Sequence, residues 1–474
     1  MTSEPSATAV QRFRVAEHEV ERESGALRKE LRLPDLVGMQ ILNIVGLFWV
    51  GTAGKLGSAH LMYWLPAVLL FYVPSGIVVA HLVKEMPLEG GLYQWAKLRF
   101  SPLLGFLVAM NIWLYNILVI SKIGVIVTDN AAYAFGSSGT WLSSSKPAVI
   151  LISLVAICGL MLLAWRGLGV GKWVNNFGGF AIVTLFVAMV VVAVPRWFHG
   201  ASGVGPVTAP VALTVPALTL LNLNLLGKMG FGAFGGFDAV GVFAGECRST
   251  DVAGSIRRSV WLAAPLISVM FIAGTASVLT FSRPESIDLV SPMTQVLSGG
   301  APRLVTLSAL MLIAALLAQS SLGFSTMIRL PMVTGWDHLL PAWFSRLDPR
   351  YRTPVGSVIF AGIVAAVFSV LTNLGSGSQE AFQLLDNSGG ILYAFAYLVM
   401  FAIPLIARGE KPSLGVRVAA CSGFAMTLLY VLLSVFPIIT VQSPWLFTAK
   451  IIGLVIALQV AGALYYWRRV NSAV

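Results

Sequence analysis

Near the middle of the chain, a membrane-length apolar stretch is interrupted by Gly230-Phe231-Gly232-Ala233-Phe234-Gly235-Gly236-Phe237-Asp238. A continuous bilayer-spanning helix avoids this composition. Each glycine weakens a helix by about 1 kcal/mol relative to alanine, and a carboxylate at mid-depth is costly in hydrocarbon. Open backbone at that depth is tolerated only where it lines a cavity or is buried in protein. Broken helices of this kind build the midplane substrate sites of membrane transporters, and the segment points to such a protein.

The rest of the chain agrees with a membrane setting. It is 57% hydrophobic and 11% charged, with a mean hydropathy of +0.84, whereas soluble domains carry about 25% charged residues. Twelve apolar stretches of spanning length can be read, centred near residues 44, 72, 115, 156, 184, 230, 270, 316, 364, 394, 426 and 456. The net charge of +11 could suggest nucleic acid, but its distribution argues against that partner. With the N-terminus in the cytoplasm, 23 of the 31 Lys and Arg fall on the cytoplasmic side, including Arg12, Arg14, Arg22, Arg28, Lys29 and Arg32. Six fall outside, and Lys122 and Lys228 lie within the membrane stretches. This asymmetry follows the positive-inside rule, so both termini are expected in the cytoplasm of a multi-pass, bacterial inner-membrane protein.

The three cysteines have no metal spacing and suggest no disulfide framework. The polar, mixed-charge N-terminus is not a secretory signal. Its first 25 residues or so read as a solvated tail, and Ala26–Leu36 as a short amphipathic helix on the membrane surface. The expected division is a cytoplasmic tail at 1–30, a transmembrane domain at 31–468 and a cytoplasmic end at 469–474. Within the domain, a first repeat covers 31–196, a second 214–407, and two additional helices 415–468. A second set of breakers, Asn43-Ile44-Val45-Gly46-Leu47-Phe48-Trp49-Val50-Gly51, opens the first stretch. Breaks in the first and sixth stretches are offset by five, as two inverted five-helix repeats require. Leu384-Leu385-Asp386-Asn387-Ser388-Gly389-Gly390 is a weaker case, read equally as an outer loop or a cavity lining.

The substrate is expected at the two breaks, against Val45, Gly46, Leu47 and Phe48 and against Phe231, Gly232, Ala233, Phe234, Gly235 and Gly236. Free amides at a half-helix N-terminus would hold a carboxylate there. The alternative is that the glycines only permit close helix packing. Asp238 reads as a proton-coupling acid with its proton affinity raised by desolvation, or as a structural acid bonded to backbone or tyrosine. Glu246 is expected to pair with Arg248, Arg257 or Arg258 as an inner gate. Lys228 either snorkels to the outer interface or, in a pair with Asp386, attracts acidic substrate. No metal or cofactor is expected, and the five histidines form no cluster suited to a membrane enzyme.

Three stretches together resemble the amino acid–polyamine–organocation permease family. The first is Glu85-Met86-Pro87-Leu88-Glu89-Gly90-Gly91-Leu92-Tyr93-Gln94-Trp95. The second is Phe234-Gly235-Gly236-Phe237-Asp238 followed by Ala244-Gly245-Glu246. The third is Arg329, Gly335-Trp336-Asp337-His338-Leu339-Leu340-Pro341 and Thr353-Pro354. Bacterial amino acid antiporters and glutamate:GABA exchangers look most similar. The resemblance implies an all-α, five-plus-five inverted-repeat fold with two extra helices, and alternating access for an amino acid or related amine by proton symport or exchange. It also implies an occluding aromatic at the sixth-helix break, with Phe234 the first gate candidate and Trp49 the second. In sodium-coupled relatives of the fold, hydroxyls on the eighth helix bind the ion, which makes Ser320 and Ser321 a possible ion site. Two departures stand out. Gly46-Leu47-Phe48 replaces the family's frequent Gly-Ser-Gly, and Ile182 stands where some proton-coupled members carry a lysine, with Lys172 at the helix end instead. A sodium-coupled or polyamine permease, a sensor and a channel are the rival readings. The lipid bilayer and a small molecule are the expected partners.

Overall fold

The computed structural model describes residues 18–471, apart from 21, 23, 47, 199–205, 215–216, 290, 375–377, 407–411, 439–440 and 442, and without the side chains of 374 and 378–382. Leu47, one of the expected substrate contacts, lies outside the described residues. The described chain is helical, with two isolated β-bridges. Helix α1 (Leu33–Ile44) meets α2 (Phe48–Gly54) at a 46° bend. Then come α3 (Gly57–Glu85), α4 (Leu92–Arg99), α5 (Pro102–Ser121), α6 (Ile123–Phe135), α7 (Lys146–Arg166) and α8 (Leu168–Phe198). The sixth apolar stretch forms α9 (Leu220–Gly227), which runs on through a π turn at Lys228–Gly232, and the tight helix α10 (Phe237–Glu246). The remainder is α11 (Val252–Phe281), α12 (Pro292–Gly300), α13 (Val305–Trp336), α14 (Val355–Leu374), α15 (Ser378–Ile406), α16 (Leu414–Leu433) and α17 (Pro444–Asn471).

Among the described residues, ten helices are long and apolar enough to cross a bilayer, or eleven if α1 and α2 form one span. The expected twelve is not reached on length and composition, because the sixth stretch is divided at Gly235–Gly236 into two short pieces. Large apolar side chains on α7 (Leu151, Val155, Leu162), α8 (Phe180, Val187, Val191) and α17 (Ile456, Val460, Leu464) point outward, as a lipid-facing surface requires.

Small residues let the central helices touch. A Cβ on Gly178 would lie 2.4 Å from the Ala318 methyl, so only glycine there lets α8 close on α13. One residue on, a Cβ on Gly179 would lie 3.2 Å from the Gly38 carbonyl of α1. Helix α3 shows how irregular backbone is accommodated. Pro74 has no amide for the Leu70 carbonyl one turn back, and Ser422 of α16 donates to that carbonyl instead at 2.7 Å.

The expected amphipathic helix at Ala26–Leu36 is absent, and helix begins only at Leu33. Residues 28–31 run extended because a distant partner satisfies their backbone. The amides of Glu30 and Leu31 donate to the Glu246 carbonyl (2.8 and 3.0 Å), and the Arg248 amide donates to Leu31 (2.8 Å). The tail before it is not wholly solvated either, since Val20, Ser24 and Leu27 are buried. This N-terminal strap marks one end of the bundle, called here the strap end.

Candidate functional site

A cavity of about 180 Å³ opens between the two breaks. The first break contributes Asn43, Ile44, Gly46, Phe48 and Trp49, and the sixth contributes Phe231, Gly232 and Gly235. Helices α5, α13 and α15 complete the wall with Tyr115, Gln319, Ser320 and Tyr393, and Ser291–Met293 line it toward the end opposite the strap. Glycine is required where Trp49 crosses the space. A Cβ on Gly232 would sit 2.4 Å from its indole, and one on Gly46 would sit 2.6 Å away.

Five of the expected contacts therefore line the cavity: Gly46, Phe48, Phe231, Gly232 and Gly235. Val45, Ala233, Phe234 and Gly236 stand behind it. Phe234, the expected gate, is fully buried in an aromatic stack against Tyr72 (centroids 4.3 Å apart), Trp64 and Phe271. Phe231 and Trp49 are the aromatics that face the space. The amides at the sixth break are not vacant. Gly235 donates to the Phe231 carbonyl at 2.8 Å, and Gly236, at φ +146°, donates to the Tyr397 hydroxyl at 2.7 Å.

Asp238 lies just behind this break and is 1% exposed. It accepts from the hydroxyls of Tyr393 (2.5 Å) and Tyr397 (2.8 Å), which are one turn apart on α15. The geometry matches the structural alternative for this acid. Lys228 does not snorkel. It is buried, donates to Asn387 at 2.8 Å and lies 5.8 Å from the Tyr430 ring. Lys122, rather than Lys228, pairs with Asp386 (2.7 Å), and both of these line the cavity. The tenth stretch is thus helical and cavity-lining, not an outer loop. Ser320 also lines the cavity, but its hydroxyl donates to its own helix at Leu316 (2.8 Å); Ser321 is buried beside it.

The strap end is sealed by a buried ion cluster. Arg329 grips Glu246 with two bonds of 2.8 Å, donates to the Ser325 carbonyl (2.6 Å) and stacks on Phe243 at 4.5 Å. The partner of Glu246 is thus Arg329, not Arg248, Arg257 or Arg258, because Arg329 reaches it from inside the bundle. Glu89 lies 3.8 Å from the same guanidinium and accepts from the Gly245 amide at 2.7 Å. Burial, and then the nearby Glu246 carboxylate, push the Glu89 carboxyl well above its usual range, against the pull of Arg329. Lys29 of the strap donates to the Gly245 carbonyl (2.5 Å).

The three stretches singled out by resemblance meet here. Gly91, at φ +44°, lets the loop after α3 approach Gly241 of α10 so closely that a Cβ would lie 2.9 Å from its backbone. Tyr93 and Lys97 both reach Asp337, the lysine at 2.5 Å. Gln319, Tyr393 and Tyr397 were not singled out in the sequence, since a lone glutamine or a tyrosine pair one turn apart looks like ordinary helix packing. Among the described residues, no group of three or more His, Cys, Asp or Glu is placed to hold a metal ion.

Comparison with known proteins gives a consistent picture. Residues 31–458 match the family model described as amino acid permease. An uncharacterized transporter of Legionella pneumophila is 23% identical over 81% of this chain and 82% of its own length. A probable agmatine/putrescine antiporter of Lactococcus lactis is 20% identical over 76% of this chain and 77% of its own. Among solved structures, MhsT in complex with L-phenylalanine superposes with a TM-score of 0.59 at 13% identity, covering 86% of this chain and 98% of that one. That likeness shows a shared fold.

Proposed function

The chain belongs to the amino acid permease family, and on that premise we propose that it carries an amino acid or a related amine across the membrane by alternating access. The observation that carries this reading is one cavity walled by both helix breaks and sealed at the strap end by Arg329, Glu246 and Glu89. The Lys and Arg distribution assigns the strap end to the cytoplasm, so this geometry faces the other side. In the proposed cycle, residues 31–196 and 214–407 form inverted repeats, 415–468 add two helices, and α1, α2, α9 and α10 rock together against the rest.

Phe231 and Trp49 take the gating role in place of Phe234. Lys122 and Asp386 present both charge signs to the substrate, and the cavity polar groups orient its zwitterionic or amine end. Asp238 ties α10 to α15 through Tyr393 and Tyr397. Such an engaged acid favours exchange of one substrate for another over proton symport.

The test is reconstitution of the purified protein in liposomes preloaded with an amino acid and amine mixture. Labelled acidic, neutral and cationic amino acids and polyamines are then offered, with and without an inward proton gradient. Uptake that requires internal substrate and ignores the gradient supports exchange. Gradient-driven uptake into empty vesicles returns Asp238 to a proton-carrying role. No saturable uptake of any of these removes the proposal.

A further inference from the structure

The first break ends half-helix α1 in the interior of the bundle. The last carbonyls of any helix lack amide partners, and they carry the negative end of its dipole. In this chain the Ile41 carbonyl accepts from the Val45 amide (3.0 Å), and Ile44 from the Gly46 amide (2.8 Å). The Leu42 and Val45 carbonyls are met from outside the segment. Nε2 of Gln319, on α13, lies 2.6 Å from the Leu42 oxygen and 3.3 Å from the Val45 oxygen. Unwound-helix carbonyls of this kind are the groups that coordinate a coupling cation in transporters with broken helices.

We propose that the side-chain amide of Gln319 substitutes for a coupling cation at the first-helix break, and that the protein works without sodium. The primary amide has two N–H donors, and two carbonyl oxygens stand before it. Turning the amide over would set Oε1 against both of those oxygens, so the neighbours decide its orientation. The nitrogen then stands where a small cation shared by the two carbonyls would sit. It supplies the positive end of two dipoles and brings no net charge into the membrane interior. The adjacent hydroxyl, Ser320, donates to Leu316 of its own helix. Gln319 also lines the cavity, so the same bonds that satisfy α1 fix the wall that a substrate meets. Gln319 is accordingly a positioning residue and the determinant of ion dependence.

The inference extends the proposed function but is tested without a transported substrate, so the two can fail separately. The purified full-length chain is unfolded thermally in sodium, potassium or choline chloride at equal ionic strength, with tryptophan fluorescence as a second readout because Trp49 lies at the break. The wild-type midpoints are expected to coincide in the three salts. Gln319→Ala should unfold at a lower temperature in all three. Gln319→Glu sets three oxygens around one point and should be selectively restored by sodium, a response that a merely structural glutamine would not confer. Selective stabilisation of the wild type by sodium would overturn the proposal, as would a Gln319→Ala midpoint equal to wild type or a Gln319→Glu variant blind to sodium. If neither variant folds, the wild-type comparison alone decides.

Discussion

At the first break the surrounding helices supply donors to orphaned carbonyls; at the sixth they supply an acceptor to an orphaned amide. Gln319 of α13 gives its N–H groups to Leu42 and Val45, whereas Tyr397 of α15 receives the amide of Gly236. The polarity follows from which half-helix end is exposed, since α1 ends in carbonyls and α10 begins with amides. The sixth clamp does a second job, because the Tyr397 hydroxyl in turn donates a hydrogen bond to Asp238 at 2.8 Å. One break is held by a single side chain with two donors, and the other by a short relay that ends on a buried acid.

The largest expected effect tests whether the aromatics around the sixth break are gate or scaffold. Phe234→Ala removes a ring from the stack with Tyr72 and Phe271 and should cost about 3–5 kcal/mol. A midpoint within a degree or two of wild type, together with lost uptake, would return Phe234 to the gate. Next, Gly236→Ala must hold φ +146° and bring a Cβ to 2.6 Å from Asn43. A cost of about 3 kcal/mol follows, read as lost thermal stability, and normal stability would show that the break adopts another backbone.

Tyr397→Phe strips the relay of both bonds. A buried amide and a carboxylate each lose a partner, so a loss of about 2–3 kcal/mol is expected. Gln319→Ala should cost less, about 1–2 kcal/mol, because Gln319 itself lines the cavity and water can enter the space its side chain vacates. Chemical unfolding of the two variants side by side checks the order, and the reverse order would invert the comparison. Ser320→Ala, whose hydroxyl only serves its own helix, should lie within about 0.5 kcal/mol of wild type. Its uptake should be the same in sodium as in potassium, and a sodium-specific defect would revive it as an ion ligand.

Much of this was legible in clusters of glycine, although α8 carries four glycines without breaking. The clusters at Gly46 and at Gly230–Gly236 mark the breaks directly, and the paired Gly90 and Gly91 mark the loop that meets Gly241. Which side chain faces the cavity was not legible across the sixth break. The π turn at Lys228–Gly232 and the non-helical Gly235 and Gly236 reset the helical phase, so Phe231 and Phe234 could not be told apart by spacing. The clamps were hidden for another reason. Gln319 and Tyr397 meet partners far away in sequence, and local pattern carries no such information. Distance also misled at residues 26–32, where pairing with Cys247 overrides an amphipathic composition.

The distance between Leu42 and Gln319, 277 positions apart, sets an order of assembly. At about 5–20 residues per second of synthesis, Gln319 emerges roughly 14–55 s after the break it clamps. Until then the Leu42 and Val45 carbonyls have no partner from α13, and a bent first segment would hold them unsatisfied in hydrocarbon. A straight, self-satisfied helix is the only form that the bilayer accepts in the interval. The break is therefore made late, when α13 docks, and the cavity between the two breaks forms after the first segment has entered the bilayer rather than with it.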